Sequence, residues 1–479
     1  MINHASPTFD VAVTQITLLD NPLSIHIDYQ VADMQFHTHI KYRSIATWQA
    51  IHQKLDDAQV ERMVALIAAW DAMRYLALGG TTVILPANYA LSASDKAAWQ
   101  HCFLNQFGEW RFKNRITYEK TYPLLQTCSL DTDNQKASKQ VRARNNKILL
   151  ANGGGKDTLL GCVLLSHQSD CEYEFYHGFL PYGGCASTQQ YLLEQLSSTF
   201  RPDKEPVSID ITDNYCNQGK DFFERHGVFV TDYHVDFSVG HTSNYVGYFP
   251  LLVEHGYEVM LFNIEKSADQ PNCQWRGDDI NHQWCKSTEY RDICTHLYHC
   301  LVENSSFKGF KSTIKGFYDT SIYQILSKYP EKLQLTHSCN IDKPWCKQCT
   351  KCCFCYLMMT AFCSEETAKN VMQLETSLFT DPNTQSTWQA LLCPDQHAWE
   401  CVASKAECHL ACSICIDKGY SYPVLREYLQ QDVEHHIKHG MDTFAKIDAS
   451  QFEYSLFHSL IPRFKTHDVI DATEDTVSA

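Results

Sequence analysis

Apolar and polar positions alternate through the first 45 residues. Residues 9–18 (with Val11, Val13 and Ile16), 23–31 and 36–45 keep a period of two, which predicts antiparallel strands with one face against a core and one in water. The period then lengthens. Val60, Met63, Val64, Ile67, Ala68 and Met73 recur at helical spacing within 60–78, and a second helix is expected over 94–107 behind the capping candidates Ser92 and Ser94. A short strand, 81–85, lies between them. From residue 146 short apolar runs alternate with helical stretches. Strands are expected over 148–151, 172–180, 207–212, 228–230 and 258–264. Helices are expected to open at Leu159 and to cover 188–200 and 245–255, with a polar stretch from 213 to 226. That alternation predicts a parallel sheet with crossover helices. The expected class is α/β: an N-terminal α+β domain over 1–143, a parallel-sheet domain over 144–335, a Cys-rich metal-binding and helical region over 336–440, and an extension with an acidic tail over 441–479.

The first strand of the parallel part runs through Asn152 into Gly153, Gly154 and Gly155, and then Lys156, Asp157 and Thr158 lead into Leu159 and Leu160. Glycine permits positive φ and lets an anion approach the backbone N–H groups, and the following helix N-terminus adds unpaired donors. The stretch therefore reads as a phosphate cradle. A Walker loop would need Gly at 150 and Ser or Thr at 157, where the chain has Leu150 and Asp157. The dinucleotide fingerprint fails at Thr158, where its third glycine belongs. What is left, Gly-Gly-Lys-Asp-Ser/Thr after a strand, resembles the pyrophosphate loop of ATP pyrophosphatases (PP-loop, adenine nucleotide alpha hydrolase-like). The plainer reading is a glycine turn with no ligand. In open parallel sheets ligands sit beyond the carboxyl ends of the strands, which would line up the loop, Asp213, and Glu265, Lys266 and Ser267.

Composition narrows the class. The chain has 479 residues, 44% hydrophobic and 12% aromatic, enough for more than one domain. No run of 18 apolar residues spans a membrane, and the start Met1–Ser6 lacks the layout of a secretory signal. A net charge of −16 speaks against a broad nucleic-acid surface. The one basic cluster, Lys136, Lys139, Arg142, Arg144 and Lys147, reads as a solvated linker. The 22 cysteines, in a long chain without such a signal, suggest reduced thiols, a metal site and the cytosol.

Cys346, Cys349 and Cys352 follow the spacing Cys-x2-Cys-x2-Cys, with Cys339 seven positions earlier. Four thiolates so spaced suit tetrahedral Zn²⁺. Cys355 is an alternative fourth ligand, and an iron–sulfur cluster is an alternative occupant. The run 354–362 reads as a buried helix, and Cys393, Cys401, Cys408, Cys412 and Cys415 read as small core thiols. Residues 275–290, polar and punctuated by aromatics, read as a loop that either serves a site or is simply exposed.

These motifs, in this order, resemble the ATP-dependent UDP-N-acetylmuramoyl-L-alanyl-L-glutamate epimerases of bacterial peptidoglycan synthesis. The likeness runs from Trp70 to Ala411 and is carried by Gly153 to Thr158, by Ile280, Asn281, His282, Gln283, Trp284, Cys285, Lys286 and Ser287, by Ser338, Cys339 and Asn340, by Trp345 to Cys352 with Lys351, and by His397 to Cys401. Thr158 departs from the Ser expected there but keeps the hydroxyl. The resemblance implies ATP and Mg²⁺, a nucleotide-sugar peptide substrate, no nucleic-acid or membrane partner, and release of AMP and pyrophosphate. It leaves the oligomeric state open. Asn152, the loop from Gly153 to Thr158 and Asp213 are the nucleotide or Mg²⁺ candidates. His282, Lys286, Glu265 and Glu289 are the acid–base candidates. Two other classes remain: an amide- or nitrile-forming adenylating enzyme similar to 7-cyano-7-deazaguanine synthase, and a nucleotide-binding module without catalysis.

Overall fold

The computed structural model describes residues 9–117, 124–129, 147–167, 172–179, 185–226, 242–303, 305–339, 341–396, 398–429 and 432–453. The basic residues at 136–144, the strand expected over 228–230, the start Met1–Ser6, Asn340, His397 and the tail beyond 453 lie outside them.

The sheet strands, in chain order, are β1 (Phe9–Leu19), β2 (Ser24–Val31), β3 (Met34–Tyr42), β4 (Gly80–Ile84), β5 (Leu124–Gln126), β6 (Lys147–Asn152), β7 (Glu172–Phe179), β8 (Val207–Asp213), β9 (Val259–Phe262) and β10 (Phe310–Ser312). The helices used below are α1 (Asp57–Ala72), α2 (Ala93–Gln106), α3 (Lys156–Ser166), α4 (Ala186–Phe200), α5 (Tyr215–His226), α6 (Thr288–Leu301), α7 (Asp319–Leu326), α8 (Thr350–Phe362) and α9 (Lys405–Asp417). All ten strands belong to one sheet, ordered β10-β9-β6-β7-β8-β3-β2-β1-β4-β5. β6 to β10 pair only in parallel with one another. β8 then meets β3 antiparallel, with Ile209 opposite Tyr42 and Asp213 opposite Thr38. The N-terminal strands and the parallel strands thus share one continuous sheet across residue 143.

Side-chain periods explain which parts are buried on one face and which on two. In the antiparallel hairpins Val11, Val13, Ile25, Ile27, Tyr29 and Phe36 face a single core, as alternation demands. In the parallel part both faces are covered. Ile148 and Leu150 of β6 and Val259 and Leu261 of β9 pack with α3, α7 and α8. Leu149, Met260 and Phe262 point into the opposite core, shared with α1 and α6. Each such fully buried aliphatic side chain contributes about 1.5–3 kcal/mol of transfer free energy.

α1 begins at a capping box in which Asp56 accepts from Gln59 N while the Gln59 side chain returns to Asp56 N. The helix expected to reach residue 78 ends at Ala72; a 3-10 turn, Met73–Leu78, continues to Gly79, whose φ of 95° stops it. The polar stretch from 213 to 226 is helical from Tyr215, because its apolar residues, Phe222 above all, recur on one side and pack beside Phe9 and Phe36. No helix among the described residues is long and apolar enough to cross a membrane.

Candidate active site

From β6 the chain moves outward to β7 and β8, then returns to lay β9 on the other flank of β6. The gap between β6 and β9 is therefore a topological switch point, where open parallel sheets leave a crevice beyond the strand ends. The glycine loop closes the end of β6 there. Asn152 Oδ1 accepts from Gly154 N at 3.0 Å, and Thr158 Oγ1 accepts from Gly153 N at 3.1 Å. Gly154 has φ of 72°, and a Cβ on it would lie 1.9 Å from the His337 ring, so both its conformation and its neighbour demand glycine. Gly155 is the N-cap of α3 and brings no side chain to that helix's first-turn N–H groups. Gly161, within α3, lets that helix approach Asn263 at the end of β9, where a Cβ would come within 1.9 Å of the Asn263 oxygen.

The crevice is a cavity of about 310 Å³ whose walls divide by chemistry. Gly153, Gly155, Asp157 and Thr158 form the loop side; Asn263, Ile264 and Glu265 form the β9 side. Tyr176, Tyr245, Tyr248 and Phe262 form an aromatic end, with the rings of Tyr245 and Phe262 stacked at 4.8 Å. Lys286, Lys343 and Lys351 bring three ammonium groups. Beneath the loop Lys156 Nζ sits 2.5 Å from both Asp157 Oδ1 and Asp319 Oδ1. Burial and the nearby Glu265 charge raise the Asp157 carboxyl, against the pull of Lys156, to about 6. Burial also works against the Glu265 carboxylate, but Lys156, Lys286 and Lys351 hold it below its ordinary range. Two carboxylates that strain against each other beside several ammonium groups make a setting a divalent cation and a polyphosphate would relieve.

At the far wall lies Cys401. Lys286 Nζ donates to its sulfur at 2.7 Å, and Lys351 Nζ reaches its carbonyl oxygen. The sulfur is 3.1 Å from the Gln283 carboxamide, which can turn its oxygen to a thiol or its NH₂ to a thiolate. Gln283 itself holds the left-handed region, with φ of 56°. Behind the sulfur, His282 Nδ1 donates to Glu109 Oε2 at 2.8 Å. Burial would raise the Cys401 thiol, but Lys286, His282 and Lys351 outweigh it and bring the thiol down to about 6. Burial alone would lower His282, yet Cys401 and Glu109 lift it to about 9.

A separate group stands at the start of α8. The ligand atoms of Cys339, Cys346, Cys349 and Cys352 all lie within 4.8 Å of one another, with Cys339–Cys349 and Cys346–Cys352 sulfurs at 3.8 Å. Four thiolates around one ion at a bond length of about 2.3 Å have edges of about 3.8 Å when tetrahedral. Cys339 Sγ also accepts from the N–H groups of Ile341, Asp342 and Cys346, and Cys346 Sγ from that of Cys349. Such donors stabilise sulfur carrying negative charge. This four-cysteine set could hold a structural metal ion, and Cys355, buried in α8, is not part of it.

The structure gathers Asn152, Gly153, Gly155, Asp157, Thr158, Glu265 and Lys286 around the cavity. Gly154 and Lys156 lie directly beneath, and His282 reaches it through Cys401. It does not bring in Asp213 or Glu289. β8 is two strands away from β6, and the Asp213 carboxylate takes Arg74 Nη1 at 2.7 Å and caps α5 at Tyr215 N. Glu289 points from α6 toward solvent and pairs with His101 at 2.8 Å. The reading of Cys401 as a core thiol is corrected by its place in the wall, whereas Cys408, Cys412 and Cys415 are buried. Sequence reasoning also passed over Tyr176, Asn263, Lys343, Asp319 and Glu109. Only Cys401 and Lys351 carried a signal, through the motifs in which they stand.

Comparison with known proteins agrees with this layout. A family model described as the MurL N-terminal domain matches residues 4–176 and 250–305, and one described as the MurL C-terminal domain matches residues 333–441. A relative from a Micromonospora species, named UDP-N-acetyl-alpha-D-muramoyl-L-alanyl-L-glutamate epimerase, is 28% identical over 178 residues, covering 35% of this chain and 39% of its own length. A relative of the same name from Salinispora tropica is 28% identical over 171 residues, covering 34% of this chain and 36% of its own. The chain thus matches less than two fifths of either relative's length. No solved structure matches. Both MurL models are met in order, and each contributes walls to the one cavity, the first through the glycine loop and Lys286, the second through Lys351 and Cys401. The chain belongs to the MurL family.

Proposed function

We propose that this chain is an ATP-dependent epimerase that inverts the α-carbon of the terminal glutamate of UDP-N-acetylmuramoyl-L-alanyl-L-glutamate. The observation that carries the reading is the switch-point cavity, in which a glycine loop of the PP-loop ATP-pyrophosphatase pattern meets three lysines and two carboxylates. The names of the relatives supply the substrate.

The chemistry follows from a difficulty. Removing an α-proton beside a free carboxylate would build a second negative charge next to the first. ATP, as co-substrate, removes that obstacle: a carboxylate oxygen attacks the α-phosphorus, pyrophosphate leaves, and the acyl adenylate has an acidic α-carbon. A base takes the proton, an acid returns one to the other face, and water then releases AMP and the inverted glutamate. In this chain Gly153 to Thr158 would cradle phosphate and the aromatic end would take the adenine. Lys286, Lys343 and Lys351 would offset the polyphosphate charge. Asp157 and Glu265 would hold Mg²⁺, which neutralises phosphate charge. At the four-cysteine set, where the sulfur spacing fits a single tetrahedral ion, Zn²⁺ would serve as a structural staple.

The test is a reaction in deuterium oxide with the muramoyl dipeptide. The expected result is D-glutamate after hydrolysis, one solvent deuterium at its α-carbon, and AMP with pyrophosphate, all dependent on ATP and Mg²⁺ and unsupported by ADP. Exchange of the α-hydrogen without ATP would overturn the adenylate route.

A further inference from the structure

We infer that Cys401 is the base that removes the substrate α-proton, its sulfur set in the cavity wall against the Lys286 ammonium, with the Glu109–His282 pair behind it. The inference rests on the epimerase reading above and assigns the step that reading leaves open.

The argument is one of elimination within a single cavity. A base for this step must line the cavity, be unprotonated at neutral pH, and keep a proton affinity close to the working pH. Lys286 donates to Cys401, and its ammonium is raised further by Cys401 and Glu265 against the effect of burial, so it arrives protonated. His282 is likewise held as a cation, at about 9, between Cys401 and Glu109. Glu265 lies on the β9 side of the cavity among Lys156, Lys286 and Lys351 and is given above to Mg²⁺. Asp157 is engaged by Lys156 at 2.5 Å on the loop side. Cys285 lines the same wall, but burial pushes its thiol up to about 12, so it stays neutral. Lys343, lowered by burial to about 8, is still largely protonated at neutral pH and donates to the His337 carbonyl, and Asp157 belongs to the phosphate loop and is given above to Mg²⁺; away from that loop Cys401 is the wall group that meets all three conditions. Cys162 shows the contrast: in the apolar core its thiol is raised by burial with no cation to offset it.

The step balances without an oxidant or reductant. The Cys401 sulfur lone pair takes the α-hydrogen as a proton, the C–H pair moves into the enolate of the activated acyl group, and S–H forms. A proton returns to the opposite face of the carbon from a second, protonated wall group. Both then re-equilibrate with water.

The experiment compares the full-length wild type with Cys401→Ser and Cys401→Ala in deuterium oxide, with the muramoyl dipeptide, ATP and Mg²⁺. Exchange of the α-hydrogen and substrate-dependent exchange of labelled pyrophosphate into ATP are followed side by side. The expected result is a loss of α-hydrogen exchange of about 10²- to 10⁴-fold in both variants, the size of a general-base contribution, with pyrophosphate exchange persisting as proof of a folded, adenylating enzyme. Wild-type α-hydrogen exchange in Cys401→Ala would overturn the assignment and leave the epimerase reading standing. Loss of both exchanges together would overturn it in favour of a packing role. A wild type that shows neither exchange would overturn the epimerase reading, and the assignment with it.

Discussion

Two sets of sulfur atoms in the MurL C-terminal match make opposite use of the same side chain. The Cys339 set turns inward: four sulfurs within 4.8 Å of one another, with backbone N–H groups donating to two of them. Cys401 turns outward: its sulfur meets an ammonium, an imidazole and a carboxamide, and it stands at the edge of a cavity. In the first set negative charge would be shared with an ion and removed from chemistry. At Cys401 it is created by neighbours that belong to other parts of the chain and remains available. The difference lies in the partners, which spacing along the chain shows for the first set and hides for Cys401.

The largest effect that would separate the two regions is expected from the metal. Purified protein should carry about one zinc per chain, and Cys349→Ser should lose it with most of the folding stability, since structural zinc contributes apparent binding free energies of about 10–16 kcal/mol. Elemental analysis and thermal unfolding check this; iron in place of zinc would move the site to a different class. Next in size is Lys156→Met, which leaves the carboxylates of Asp157 and Asp319 buried without their shared cation. It should cost about 3–5 kcal/mol in denaturant unfolding while zinc content stays the same.

Asp157→Asn should lower ATP cleavage on the order of 10²–10³-fold, the scale of one preorganised electrostatic contact, with zinc and fold retained. AMP production at the wild-type rate would remove Asp157 from the nucleotide site. A smaller effect is expected in pH dependence. The Cys401 thiol is depressed to about 6, so its thiolate persists above that pH and is lost as pH falls through it. Iodoacetamide labelling of Cys401, read by peptide mass spectrometry, should reach half its maximal rate near pH 6, and Lys286→Met should move that midpoint upward. Least of all is Glu289→Gln. Its solvent-facing pair with His101 predicts a change within about 0.5 kcal/mol in stability, with unaltered α-hydrogen exchange.

What the sequence disclosed followed local rules. The β6–loop–α3 unit and the spacing Cys339 to Cys352 are contiguous, and their chemistry can be read without knowing what lies across the fold. The antiparallel strands β1 to β3 were legible because one face is wet. Asp213 misled because strand polarity alone puts every carboxyl end on one edge, and only strand order shows that β8 is remote from the switch point. The chemistry of Cys401, Glu109 and Asp319 was illegible because each gains its character from a residue more than 100 positions away: Lys286 for the thiol, His282 for Glu109, Lys156 for Asp319. Lys343 depends in the same way on the fold of the four-cysteine segment against the loop, where its ammonium donates to the His337 carbonyl.

The antiparallel seam between β3 and β8 also bears on how the chain reaches this state. β3 leaves the ribosome well before β8 and has a partner on one side in β2, but its other edge waits for β8, with Tyr42 paired to Ile209. During that interval the edge presents a row of unsatisfied N–H and C=O groups ending at an apolar Ile40 and Tyr42, the kind of template that recruits strands from other chains. Contacts of such long sequence separation also slow folding, since the loop must close before pairing offsets its entropy. Expression at lower temperature or with a holdase present should therefore favour the correctly paired product, because the vulnerable species is the nascent chain that carries β3 before β8 has been made.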